Sequence, residues 1–157
     1  MKIGALIGLV FGLLWWWVGV DAVTGSAATI LQILGIFIFA ATGIWIVRRQ
    51  ATPPRQKPRW NYYMAAVIAE VIAIMFSQTW LTARDLGHLL LPTVGLIVGL
   101  HFTGLWHAFA RRRFLILAVV MTAINLLALF LPLTPAERLL LSGFGSSASL
   151  LITVLLP

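Results

Sequence analysis

The sequence predicts an all-α integral membrane protein, six transmembrane helices arranged as three helical hairpins with both termini cytoplasmic. Three observations carry this. Of 157 residues, 61% are hydrophobic and only 10% are charged, against about 45–50% and about 25% in soluble domains. A folded chain of this size still exposes roughly a third of its unfolded surface, so this much apolar surface calls for a bilayer as solvent. The apolar residues fall into six runs, and the basic residues collect on alternate connections between them.

The runs cover roughly 3–20, 27–47, 61–81, 89–110, 114–131 and 138–156. Each is near the ~20 residues that cross ~30 Å of hydrocarbon as a helix. Helix is required because lipid offers no partner for backbone polar groups. The runs are continuous, whereas a membrane β-barrel would alternate residue by residue. The whole chain, 1–157, reads as a single transmembrane domain. Run 3–20 also has the look of a signal peptide, with Lys2 before it and Ala27 and Ala28 after it; it is counted as the first span. The sixth run has a small, polar centre, "SGFGSSAS", which suits the interior of a bundle better than lipid.

Topology follows from charge. Lys2 precedes the first run. Arg48, Arg49, Arg55, Lys57 and Arg59 fill the loop 48–60, and Arg111, Arg112 and Arg113 join the fourth and fifth runs. Only Arg84 and Arg138 fall on the other side, so nine of the 11 basic residues mark one face. By the positive-inside rule that face is cytoplasmic. Asp21, Asp85 and Glu137 occupy the three outer connections. Trp15, Trp16, Trp17 and Trp80 stand near the outer interface, and Trp45, Trp60, Tyr62, Tyr63 and Trp106 near the inner one, where half-wet surroundings suit their rings. The basic residues of the loop and of the arginine triplet are expected to contact anionic lipid of the inner leaflet. A bacterial inner membrane is the expected location, on the grounds of small size and compactness.

The first two hairpins look alike. "TGIW", Thr42–Trp45, recurs as "TGLW", Thr103–Trp106, each followed by a basic pair, at an offset of 61 residues. A shift by two helices preserves orientation, so this reads as a parallel internal repeat.

Glu70 is the one acidic residue deep in an apolar run. It lies roughly 13 Å from Asn61 at ~1.5 Å per residue. His101 falls at similar depth on the next, antiparallel run. A carboxylate at mid-membrane costs several kcal/mol unless paired, neutralised or hydrated, and an imidazole can share its proton. Tyr63, Ala66, Glu70, Ala73 and Ser77 share one helical face, and Ile97, His101, Gly104 and Ala108 another. Small residues on both faces favour close packing. Gln32, Ser77, Gln78, Asn125, Ser146 and Ser147 stand nearer the outside and are candidates for a polar vestibule above the pair. Asp85 and His88, three apart before the fourth run, are candidates for an outer gate or a surface pair. His107 reads as interfacial. Pro92 is expected to kink the fourth run near its outer end. Ser142–Ser146 and Gly145–Ser149 give the sixth run a small-residue face for packing or for a homo-oligomer contact.

Several chemistries are disfavoured. Without cysteine there are no disulfides, iron–sulfur clusters or thiolate zinc sites. His88, His101 and His107 are spread in depth, which argues against a haem clamp or a three-histidine metal site. Phosphate-loop and nucleophile-elbow patterns are missing. No catalytic residue, cofactor, metal or nucleic-acid partner is therefore expected. The leading expectation is a small transporter or permease-like protein with a proton- or ligand-responsive Glu70–His101 pair. The alternatives are a non-catalytic scaffold or accessory subunit, and a lipid- or quinone-binding protein.

Overall fold

The computed structural model describes residues 2–48 and 57–156, the first two by backbone alone. It is all-helical, with no strand among the described residues. The helices are α1 (Lys2–Val20), α2 (Ser26–Arg48), α3 (Trp60–Thr82), α4 (Leu90–Phe109, preceded by a 3-10 turn Gly87–Leu89), α5 (Arg112–Phe130) and α6 (Pro135–Leu155). Five of them are long and apolar enough to cross a membrane; α1 contributes the shorter apolar stretch Gly4–Val20.

The ends of the helices have local causes. Ala110, at φ 51°, turns α4 out through the left-handed region, and its N–H bonds the Trp106 carbonyl. Only Ala110 and Arg111 separate α4 from α5, so the second and third arginines of the triplet already belong to a helix. The sixth helix starts three residues earlier than the hydropathy suggests. Thr134 and Glu137 form a reciprocal capping box around Pro135, which fixes the first turn of a helix. Pro92 lies in the first turn of α4, where its missing N–H has no partner to lose. It does not interrupt an established helix.

The helices pack in the series α2, α1, α6, α5, α4, α3, with α4 also touching α6. Neighbours run antiparallel: Gly12 meets Phe39 and Gly43 meets Leu9 between α1 and α2, Gly8 meets Val154 and Gly19 meets Phe144 between α1 and α6. Gly95 meets Asn125 and Gly99 meets Thr122 between α4 and α5, and Gly104 meets Ala66 between α3 and α4. The ends carrying Lys2, Arg48, Arg59, Arg111, Arg112 and Arg113 therefore point the same way. Arg49 and Arg55 lie outside the described residues.

α6 is the most enclosed helix and α3 the least. Closest approach is between the backbones of α1 and α6, where a Cβ on Gly143 would come within 2.4 Å of the Gly19 nitrogen. Ser147 adds a hydrogen bond to the Gly12 carbonyl across the same contact (2.8 Å). Trp16 closes α2 onto α1. Its indole N–H donates to the Leu31 carbonyl at 2.9 Å, its ring lies where a side chain on Gly35 would be, and it meets Phe144 of α6 edge-on. Trp16 is half-buried and Trp15 is buried. Of the three tryptophans, only Trp17 is exposed in the manner of an interfacial anchor.

Candidate functional site

Glu70 and His101 lie opposite each other across the α3–α4 contact. Glu70 Oε2 is 3.2 Å from His101 Nδ1, with side-chain exposures of 20% and 9%. The pairing follows from the local sequence. Gly104 has no side chain, so α4 settles directly on Ala66 of α3. One turn further along each helix, in opposite directions, come His101 and Glu70. The residues sharing the Glu70 face, Tyr63, Ala66, Ala73 and Ser77, are all half-buried, whereas Ile68, Val71, Ile72, Met75 and Phe76 around them are exposed. α3 thus turns one narrow, small-residue face to α4 and the rest of its surface outward.

The contact is close but unaligned. His101 Nδ1 is buried, and its contact with Glu70 does not meet the geometry of a hydrogen bond. The pair holds a proton donor and an acceptor within reach of one another without locking them together. Chemically it can accept, release or share a proton.

The other candidate residues are dispersed. Ser77 is half-buried two turns from Glu70 on the same face, and Gln78 beside it is exposed. Gln32 is exposed on α2, which packs against α1 at the far end of the series. Asn125 is wholly buried and turned toward α6. Its amide donates to Ser146 Oγ at 3.0 Å and to the Met121 carbonyl at 2.8 Å, and its carbonyl accepts from Ser142 Oγ. Gly95 leaves the space into which Asn125 fits. Asn125 therefore completes a packing network of α4, α5 and α6. Asp85 and His88 are both exposed. Asp85 adopts φ 56° in the turn that ends α3, where Leu86 N–H reaches back to the Leu81 carbonyl. His107 is exposed, stacks on Tyr62 and donates Nδ1–H to the Thr103 carbonyl at 2.9 Å.

Two features escaped sequence reasoning. Arg138 is more than a loop charge: its guanidinium donates to the carbonyls of Ala128, Leu129 and Leu131 and so closes the C-terminus of α5. Three of the four glycines of α1, at positions 4, 8 and 12, have the spacing of a packing face. Gly8 and Gly12 do meet Val154, Phe39 and Leu150, while Gly4 meets nothing. The spacing was a readable signal.

No family model matches the chain, and neither the curated proteins nor the solved structures contain a significant match. What the fold itself defines is an all-helical protein with several apolar helices of membrane-spanning length, consistent with insertion in a membrane.

Proposed function

We propose that the chain is a small polytopic membrane transporter of permease type, with Glu70 and His101 as its proton- or ligand-responsive pair. In this reading α1 is also a span. Both termini then lie on the basic side, read as cytoplasmic by the positive-inside rule, and small size and compactness favour a bacterial inner membrane. The observation that carries the reading is the unaligned 3.2 Å approach of a carboxylate to a buried imidazole nitrogen. Ionisable groups at membrane depth are costly, and ion and proton pathways are built from them. The pair joins the least enclosed helix, α3, to the bundle. A change in its protonation or occupancy would alter the seat of α3 on α4 without disturbing the contacts of α1, α5 and α6.

The test is proton movement in vesicles holding the purified protein and a trapped pH-indicator dye. After an imposed pH step, wild type should relax faster than empty vesicles, and Glu70→Gln should relax at the empty-vesicle rate while keeping its helicity. Wild type at the empty-vesicle rate, or Glu70→Gln at the full wild-type rate, overturns the proposal.

The scaffold or accessory-subunit reading draws on a different observation. α2 and α3, the two ends of the packing series, present most of their apolar side chains outward. It expects Glu70→Gln to alter assembly or melting with no proton movement in either form. The small-residue face of α6 is already occupied within the chain, by Gly19, Asn125 and Ile124.

A further inference from the structure

The positive-inside rule asks only for charge on one side of the membrane. Around the α3–α4–α5 end, the chain holds its charges in a more particular arrangement. Arg59 is fixed to the end of α4 by its backbone N–H, which donates to the Ala108 carbonyl at 2.9 Å. The two-residue turn at Ala110 fixes Arg111 and Arg112 beside it. Arg113 lies against Phe114, its guanidinium carbon 5.3 Å from the ring centre.

At the same end of these helices the rings form a continuous layer. Trp60 meets Tyr63 and Phe109 edge-on at 5.5 and 6.4 Å, and Phe109 meets Phe114 at 5.8 Å. Tyr62 stacks on His107 at 6.1 Å, leaving both rings exposed at the rim. The positive end of α5 opens into the same space, since Arg111 as N-cap supplies no side-chain cap. No side-chain carboxylate balances this end. The four acids of the chain are Asp21, Asp85 and Glu137 at the opposite ends of the helices and Glu70 within the span. The outer basic residues have local engagements, Arg84 on the Trp80 ring and Arg138 on the α5 carbonyls.

We infer that this end of α3, α4 and α5 is a built binding site for the headgroup of an anionic phospholipid. Arg59, Arg111 and Arg112 take the phosphate. Guanidinium groups present forks that match phosphate oxygens in pairs. The Trp60–Phe109–Phe114 layer packs against the glycerol and upper acyl region, and the Tyr62 hydroxyl lies at headgroup height. The inference stands independently of the Glu70–His101 reading.

The experiment is thermal unfolding of the full chain in a non-ionic detergent, with phosphatidylglycerol, phosphatidylcholine or inorganic phosphate added in turn. Phosphatidylglycerol at a hundredfold excess over its Kd should raise Tm by about 5–10 °C. Phosphatidylcholine and inorganic phosphate should give little shift. Replacing Arg111 and Arg112 together by Lys keeps the charge and should remove most of the rise; Arg84→Lys, at the other end, should leave it intact. Should the double variant unfold, Arg59→Lys gives the same reading from an exposed position. An equal rise with phosphatidylcholine, a full rise in the lysine variants, or an equal loss in Arg84→Lys overturns the site. A rise with inorganic phosphate equal to that with phosphatidylglycerol overturns the lipid as its ligand.

Discussion

Two polar clusters lie between the helices, and they are built on opposite plans. Asn125, Ser142 and Ser146 are all 0% exposed, and the amide of Asn125 is engaged at both its nitrogen and its oxygen. Glu70 and His101 are more open, 20% and 9%, and share one contact that falls short of a hydrogen bond. Away from water a polar group is tolerated as structure when its partners are complete. The Asn125 cluster meets that condition, and it stands where three helices converge. The Glu70–His101 pair does not meet it, and it stands at the edge of the bundle. The first has the character of a fastening between helices. The second keeps unspent bonding capacity, which a proton or ligand could use.

If the closed cluster is a fastening, the largest losses of stability should come from α6 and its neighbours. Gly143→Ala would drive a methyl group into the Gly19 backbone. Backbone cannot swing aside as a side chain can, so α1 and α6 must separate, at a cost at the upper end of overpacking, about 3 kcal/mol. Asn125→Ala should come next. It strands two buried serine hydroxyls and opens a hole, for a loss of about 2 kcal/mol. Both are measured by denaturant titration of helicity in detergent. A loss for Asn125→Ala no larger than that of an exposed lipid-facing substitution such as Ile72→Ala would show that the cluster is not a fastening.

Much of this comparison can be read in the sequence, for reasons that differ by element. The apolar runs locate the helices because membrane-length segments must bury all their backbone groups at once. Their limits shift where a cap or a turn decides. α6 begins at Pro135 because Thr134 and Glu137 cap it, and α4 stops at Phe109 because a non-glycine residue, Ala110, turns left-handed. The approach of Glu70 to His101 is legible because an antiparallel hairpin with a short turn equalises their depths. Asn125 is different. Hydropathy gives depth along a helix but not its rotation, and Asn125 shares its face of α5 with only one other polar residue, Thr122. Only packing turns Asn125 toward Ser142 and Ser146. The same blindness applies to the repeat of Thr42–Trp45 in Thr103–Trp106. In the first hairpin the earlier helix, α1, is the inner one, and in the second it is the later helix, α4. Matching segments thus occupy unlike surroundings.

The smallest effect on stability should belong to the open pair, and it is the most informative. Glu70→Gln preserves shape and removes the charge, and His101→Asn preserves a polar group while removing the ring. A complete double-mutant cycle between them, read by the same denaturant titration, should give a coupling near 0.6 kcal/mol, the ordinary value for polar contacts between membrane helices. A contact without alignment has little more to lose. A coupling above about 2 kcal/mol would place the pair beside the Asn125 cluster as a second fastening, and the case for a responsive site would lose its main physical support. A small coupling together with loss of proton movement in Glu70→Gln would separate the roles. Stability would then rest on α1, α5 and α6, and the exposed helix α3 would carry a group whose protonation can change at little cost to the fold.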